Sequence, residues 1–385
     1  MKLPKTILTA TKCVHSGTQI DENQGGVNTP IHTSTAFKYL EDYEMKYPRM
    51  ANTSNQIAIV DKINALENAA KGLVFSSGLG AISAALIGLL APGDHVIVQA
   101  DIYGGTAHFM HHQLQRYGIE ISFVTIESKA NLDGAIRPST KMIYIETPSN
   151  PLMKLTDISM VADFAKEHDL ITFADNTFAT PIFQKPLDLG IDLVMHSGTK
   201  YFSGHSDIIF GYLGGSAKLI DPIQIAQIDL GATLDARLCY EIERSMKTLH
   251  IRVERAADNA MELATWLEAN DKIEKVYYPG LASHSQFELA KKQMIGGFGA
   301  MMSFRLKSGI DPIKFQKALQ IICPAVSLGG VESLIGSPYL TSHKSISQKE
   351  RDKMGITNQD VRFSVGIESI DDLKNDLNQA LFADN

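Results

Sequence analysis

From about residue 56 to residue 213 the apolar positions fall into short runs of two kinds, and the two kinds alternate. One kind repeats at helical spacing. Ile57, Val60, Ile63 and Leu66 share one face of a helix predicted over 56–70, and helices are likewise predicted over 81–90, 107–117 and 158–168. The other kind is a short unbroken apolar run, as expected of a strand buried on both faces: 73–75, 95–98, 120–124, 142–145, 171–174, 193–195 and 208–213. Strand and helix in alternation predict an α/β domain on a mainly parallel sheet. Residues 1–50 lack this periodicity and are rich in Thr, Gly, Asn and Asp, which predicts an extended arm with little core of its own. After Gly231 the pattern changes. One long helical run over 237–270 carries Leu249, Val253, Ala256, Ala260, Leu263 and Leu267 on one face. Strands at 273–277, 300–306 and 361–365 and helices at 312–319 and 371–381 follow, the makings of a smaller α+β unit. The expected division is an arm over 1–50, a large α/β domain over 51–245 and a C-terminal α+β domain over 246–385.

Composition narrows the class. A chain of 385 residues, 44% hydrophobic and 21% charged, is neither disordered nor a fibrous rod. A net charge of -7 supplies no positive field for a phosphate backbone, so nucleic acid is not an expected partner. The longest apolar stretch, 81–91, is interrupted by glycine and too short for a bilayer, and residues 1–17 have no apolar core of signal-peptide length. Cys13, Cys239 and Cys323 are odd in number and form no CxxC pair, as expected of free thiols in a reducing compartment. The expectation is a soluble, cytoplasmic globular protein with no membrane partner.

In a parallel α/β sheet, ligands bind beyond the C-terminal ends of the strands. After the strand at 73–75 come Ser76, Ser77, Gly78, Leu79 and Gly80, small residues that open a helix and leave N–H groups for a phosphate. A tight turn would look the same. Gly78 and Gly80, with Asp101 roughly 20 residues on, also admit a dinucleotide site and hence an NAD-dependent oxidoreductase. Ser83 in place of the third glycine and a helix ahead of the unit weigh against it. The strands at 171–174 and 193–195 end in Asp175-Asn176-Thr177 and in His196-Ser197-Gly198-Thr199-Lys200. Taken singly, the aspartate could be a turn cap and the lysine a solvated side chain. Together they set a carboxylate and an amine on strands one β-α-β step apart. Pyridoxal phosphate requires that combination: a Schiff-base lysine, a carboxylate for the ring nitrogen and a phosphate cup, here Ser197 and Thr199 beside Gly78 and Leu79.

These residues sit in blocks that run along nearly the whole chain: Asp101-Ile102-Tyr103-Gly104-Gly105-Thr106, Glu146-Thr147-Pro148-Ser149-Asn150-Pro151, Ala174-Asp175-Asn176-Thr177-Phe178, Ser327-Leu328-Gly329-Gly330-Val331-Glu332-Ser333-Leu334 and Arg362-Phe363-Ser364-Val365-Gly366. The sequence resembles the cystathionine γ-synthase, cystathionine γ-lyase and methionine γ-lyase family. The resemblance implies a type I pyridoxal phosphate fold like that of aspartate aminotransferase, and a homotetramer made of two intimate dimers. It implies Lys200 as the cofactor lysine and proton shuttle, and Tyr103 as the residue stacked on the ring and a second acid or base. Asp175 and Thr177 would serve the ring, with Gly78, Leu79, Ser197 and Thr199 on the phosphate. Tyr47 and Arg49 would reach the phosphate of a neighbouring subunit. Asn150, Ser327, Leu328 and Arg362 would bind substrate, beside Val326. The implied reaction is γ-elimination on cystathionine, homocysteine or methionine, giving 2-oxobutanoate, ammonia and a thiol. γ-Replacement on an O-acylated homoserine and cystathionine β-elimination are the alternatives.

Four positions depart from the family pattern and bear on the substrate. Val326 and Lys46 stand where enzymes acting on cystathionine usually carry carboxylates, His108 where some carry arginine, and Gly105 where methionine γ-lyases usually carry cysteine. His108, His111 and His112 share a helical face without a carboxylate to complete a metal set, so no metal is expected. Cys239 reads as a core residue, and Lys291 and Lys292 as a solvated face.

Overall fold

A computed structural model, which describes residues 4, 6–40, 45–342, 344 and 348–383, builds the chain around two sheets. The larger holds β1 (Lys71–Phe75), β2 (His95–Gln99), β3 (Glu120–Val124), β4 (Thr140–Glu146), β5 (Ile171–Asp175), β6 (Leu193–Ser197) and β7 (Gly211–Gly215), in the order β1-β7-β6-β5-β4-β2-β3. Only β7 runs against its neighbours. The helices α1 (Thr9–His15), α2 (Ser54–Glu67), α3 (Gly78–Leu89), α4 (Gly104–His112), α5 (Lys129–Asp133), α6 (Ile158–Glu167), α7 (Thr180–Phe183) and α8 (Ala217–Leu230) belong to this part of the chain. The unbroken apolar runs are explained by helices on both faces. Val96, Val98, Met142 and Tyr144 join the core under α3 and α8, while Ile97, Ile143 and Ile145 point the other way into the core under α6.

The smaller sheet has the order β10-β11-β12-β9-β8, from β8 (Ile273–Tyr277), β9 (Met301–Leu306), β10 (Cys323–Pro324), β11 (Leu334–Gly336) and β12 (Asp360–Ser364). With it go α9 (Ala236–Met246), α10 (Leu249–Glu268), α11 (Phe287–Gln293), α12 (Pro312–Ala318), α13 (Gln348–Met354) and α14 (Ile370–Leu381). Its apolar faces merge with those of α2, α9 and α10 into one core.

Several expectations are corrected. The single helix over 237–270 is two helices, α9 and α10. The Ser245 carbonyl at the end of α9 is taken by the Thr248 hydroxyl (3.1 Å) and the Arg252 guanidinium (3.1 Å), which lets the chain turn at Lys247 and Thr248. The arm is not wholly extended: α1 docks with Cys13 fully buried, and the buried Lys62 amine donates to the Cys13 and Val14 carbonyls at 3.0 and 3.4 Å. With Cys13 as its one buried residue, α1 has no periodic signature to read. The last strand of the large sheet is Gly211–Gly215 rather than 208–213, and its first residue packs so closely on the turn after β1 that a Cβ on Gly211 would stand 2.3 Å from the Ser77 carbonyl. α8 was hidden by the internal Pro222, and Gly88 of α3 approaches its backbone so closely that a Cβ would meet Ile223 Cα at 3.0 Å.

Candidate active site

Strands β1, β4, β5 and β6 end at a cavity of ≈ 910 Å³. At one end α3 begins. Ser77 Oγ accepts from the Gly80 N–H (3.0 Å), while the N–H groups of Gly78 and Leu79, which line the cavity, are the first two of the helix and have no acceptor within it. A Cβ on Gly78 would meet Ser197 Cα at 3.0 Å, so glycine is what lets α3 start against the end of β6. Ser197 and Thr199 line the same end. The result is a cradle of helix N–H groups and hydroxyls that suits an anion.

Asp175 closes β5 and faces Glu146, the last residue of β4, in register. Thr177 donates to Asp175 Oδ1 through its N–H (2.9 Å) and its hydroxyl. Burial raises the Asp175 pKa, opposed by these two bonds and by His196, which is itself buried against Glu67. Burial, reinforced by Asp175, drives Glu146 well above the usual carboxylate range.

Lys200 follows β6 and donates from Nζ to Ser327 Oγ at 2.8 Å. Burial, then the nearby Arg362 cation, lowers its pKa to about 8. Ser327 holds a left-handed φ of 81°, unusual for a residue other than glycine and characteristic of functional sites. Arg362 of β12 donates from Nη1 to Asn150 Oδ1 (3.1 Å) and from Nη2 to the Ser327 carbonyl (3.1 Å). Burial lowers the Arg362 pKa to about 10, which leaves it a cation at neutral pH. A fork held in this way is set to receive a carboxylate. Tyr103, at the start of α4, lines the cavity half-exposed, as does Val326 at 69% exposure beside the buried Leu328.

The cavity thus gathers Gly78, Leu79, Tyr103, Asn150, Asp175, Thr177, Ser197, Thr199, Lys200, Val326, Ser327, Leu328 and Arg362 from segments far apart in sequence. Tyr47 and Arg49 are not among its lining residues. Arg49 Nη1 donates to the Ile228 carbonyl (3.0 Å), and its guanidinium lies 5.8 Å from the Tyr47 ring centre. Glu146 also lines the cavity. Its place at the end of a strand, ahead of the Thr147-Pro148-Ser149-Asn150 block, was the available signal, and it was not read as a site residue. The dinucleotide reading is overturned. Asp101 accepts from Ser149 Oγ (2.7 Å) and Gln99 Nε2 (3.1 Å), and the strand order is not that of a dinucleotide fold. His111 stacks on Phe123 and His108 lies against His112; among the described residues no group of three or more His, Cys, Asp or Glu is placed to hold a metal.

The chemistry of the lining fits pyridoxal phosphate: an amine, a buried carboxylate and an anion cradle converge, and glycine at 78 lets the helix N-terminus of that cradle sit against Ser197. Comparison with known proteins agrees. The chain matches the model of the family described as Cys/Met metabolism PLP-dependent enzyme over residues 10–382. It is 43% identical to cystathionine beta-lyase of Coxiella burnetii over 380 residues, covering 96% of this chain and 97% of the relative. It is 41% identical to cystathionine gamma-lyase of Bacillus subtilis over 375 residues, covering 96% and 98%. Among solved structures, cystathionine gamma-lyase from Lactobacillus plantarum complexed with L-serine superposes with a TM-score of 0.94 at 38% identity, covering 97% of this chain and 98% of the other. The type I architecture expected from the sequence is therefore the one found, and the chain belongs to the Cys/Met metabolism pyridoxal phosphate-dependent enzymes.

Proposed function

We propose that this protein is a carbon–sulfur lyase acting on a sulfur amino acid of the cystathionine type, with pyridoxal phosphate as its cofactor. The observation that carries the reading is the convergence of the Lys200 amine, the Asp175 carboxylate and the Arg362 fork on one cavity. Lys200 would hold the cofactor through Nζ, Asp175 and Thr177 would serve its ring nitrogen beneath Tyr103, and Gly78, Leu79, Ser197 and Thr199 would take its phosphate. When bound, the cofactor supplies a sink for the electron pair released at the substrate's Cα.

The chain's own residues do the rest. Arg362 and Asn150, with the backbone at Ser327, bind the substrate carboxylate and fix the Cα–H bond relative to Lys200. With its pKa lowered to about 8, about a tenth of Lys200 Nζ is neutral at pH 7 and can take the Cα proton, far more than for a lysine in water. Tyr103 stands over the same space and can hand a proton to the departing sulfur. In γ-elimination the Cγ–S bond breaks, sulfur leaves as a thiol, and water replaces the amino group to give 2-oxobutanoate and ammonia. The β-elimination reading is favoured by the relative that is 43% identical and named cystathionine beta-lyase; there the Cβ–S bond breaks and the oxoacid is pyruvate. Val326 and Ile209 make the exposed part of the cavity apolar, which keeps homocysteine and methionine in consideration, while Asp207 and Glu332 in the same lining could face the distal ammonium of cystathionine.

The remaining parts of the reading concern the whole protein. The division at about residue 245 coincides with the break between α9 and α10 and is kept as our boundary. Tyr47 and Arg49, exposed and away from the cavity of their own chain, suit a site completed by a second copy within a homotetramer. Three free cysteines suit the cytoplasm, and among the described residues no helix is long and apolar enough to cross a membrane. The test is the cofactor-loaded protein incubated with L-cystathionine, L-homocysteine, L-methionine and L-cysteine in parallel, with oxoacid and ammonia measured. Release of 2-oxobutanoate from cystathionine supports γ-cleavage and pyruvate supports β-cleavage. No oxoacid from any of the four contradicts the assignment.

A further inference from the structure

Glu146 is 5% exposed, ends β4 and stands in register beside Asp175. Its two oxygens are divided between two other parts of the site. Oε2 accepts the Tyr103 N–H at 2.7 Å and Oε1 accepts the Asn150 N–H at 3.3 Å. Tyr103 is the residue over the cavity at the start of α4, and Asn150 is the residue bonded to Arg362. One carboxyl group thus joins the ring-covering segment to the carboxylate-binding segment. The backbone of Glu146 is held as firmly as its side chain: its carbonyl accepts from Gln99 Nε2 (2.8 Å), and its N–H donates to Gln99 Oε1 (3.2 Å).

We propose that Glu146 is a positioning residue that couples the placement of Tyr103 to that of Asn150, so that the cover of the cofactor ring and the seat of the substrate carboxylate are set by one carboxyl group. Both N–H groups are bonded to the Glu146 carboxyl, and a buried donor left without its acceptor is costly. Glu146→Ala removes both acceptors. Glu146→Gln keeps a carbonyl oxygen for the Tyr103 N–H and turns an amide NH₂ towards the Asn150 N–H. The two variants therefore separate the two couplings.

The inference rests on the pyridoxal phosphate reading of the cavity, and the experiment distinguishes the two. Cofactor-loaded wild type, Glu146→Gln and Glu146→Ala are compared by the visible absorption band and by its titration with glycine, which carries the α-amino and carboxylate groups but no leaving group. The expected result is a shifted band and about 10-fold weaker glycine binding in Glu146→Ala, an unsatisfied buried N–H being worth about that factor. Glu146→Gln should keep the wild-type band and still weaken glycine. Should Glu146→Ala fail to fold, Glu146→Gln decides alone: wild-type glycine affinity overturns the proposal. Variants that differ from wild type only in melting temperature overturn it too and leave Glu146 a structural residue. A wild-type protein with no visible band that glycine perturbs overturns both this proposal and the cofactor reading.

Discussion

The acidity of the Lys200 ammonium is set by where the fold places it. A lysine in water holds its proton to about pH 10.4, whereas burial and the Arg362 cation bring Lys200 to about 8. Both causes penalise the charged form, so the neutral amine is gained as pH rises through about 8. In cofactor-free protein, acylation of Lys200 by an amine reagent, followed by mass spectrometry across pH, should show a midpoint near 8, while exposed lysines titrate about two pH units higher. Arg362→Ala should move the midpoint upward by removing a positive neighbour. A Lys200 midpoint at the ordinary lysine value, unmoved by that substitution, would show that the amine is not tuned. Much at this scale was legible in the sequence, because each residue type carries its own chemistry: Lys200, Asp175, Thr177 and Arg362 were read as site residues and all line one cavity. Glu146 was not, since one more acidic residue at a strand end looks like a cap until its two acceptor contacts are seen.

At the scale of elements, periodicity served well wherever burial was one-sided or complete over a whole element. β3 runs over Glu120–Val124 as read from the apolar pattern, and α6 differs from it by one residue at its end. It failed where a local side-chain contact decided the outcome. The break between α9 and α10 depends on Thr248 and Arg252 competing for one carbonyl, and a continuous apolar face ran straight through it. α1 is held in part by a buried lysine, which sequence reasoning would put in solvent. Burial lowers the Lys62 pKa to about 8, with Glu243 opposing. The unfolded chain therefore binds the Lys62 proton more tightly than the folded one, and this group's contribution to stability rises with pH between about 8 and 10.5. Lys62→Met keeps the apolar stem and removes the donor, leaving the Cys13 and Val14 carbonyls unpaired at a loss of about 1–3 kcal/mol. Hydrogen exchange of the α1 amides should speed up about 10-fold or more, with β4 and β5 unchanged. Unaltered exchange in α1 would mean that its docking rests on Cys13 and the Lys12–Asn68 bond without Lys62.

Across the whole molecule, the two sheets, the cavity and the family are mutually consistent, and Tyr47 and Arg49 are the expected site residues that do not line the cavity. Arg49 reaches Ile228 of its own chain rather than the cavity. If it completes a neighbour's site, Arg49→Ala and Lys200→Ala chains, each inactive alone, should restore activity when dissociated and reassembled together. Random pairing makes about half the dimers hybrid, each with one intact site of two, so recovery should approach about one quarter of wild type. No recovery despite subunit exchange would assign Arg49 to its own chain. The central claim, that this cavity carries pyridoxal phosphate on Lys200, is tested most directly by borohydride reduction of the cofactor-loaded protein, followed by proteolysis and mass spectrometry. The account predicts loss of the visible band and one modified peptide bearing the reduced cofactor on Lys200. Cofactor attached at another lysine, or an unmodified Lys200 in a protein that has lost its band, would contradict it.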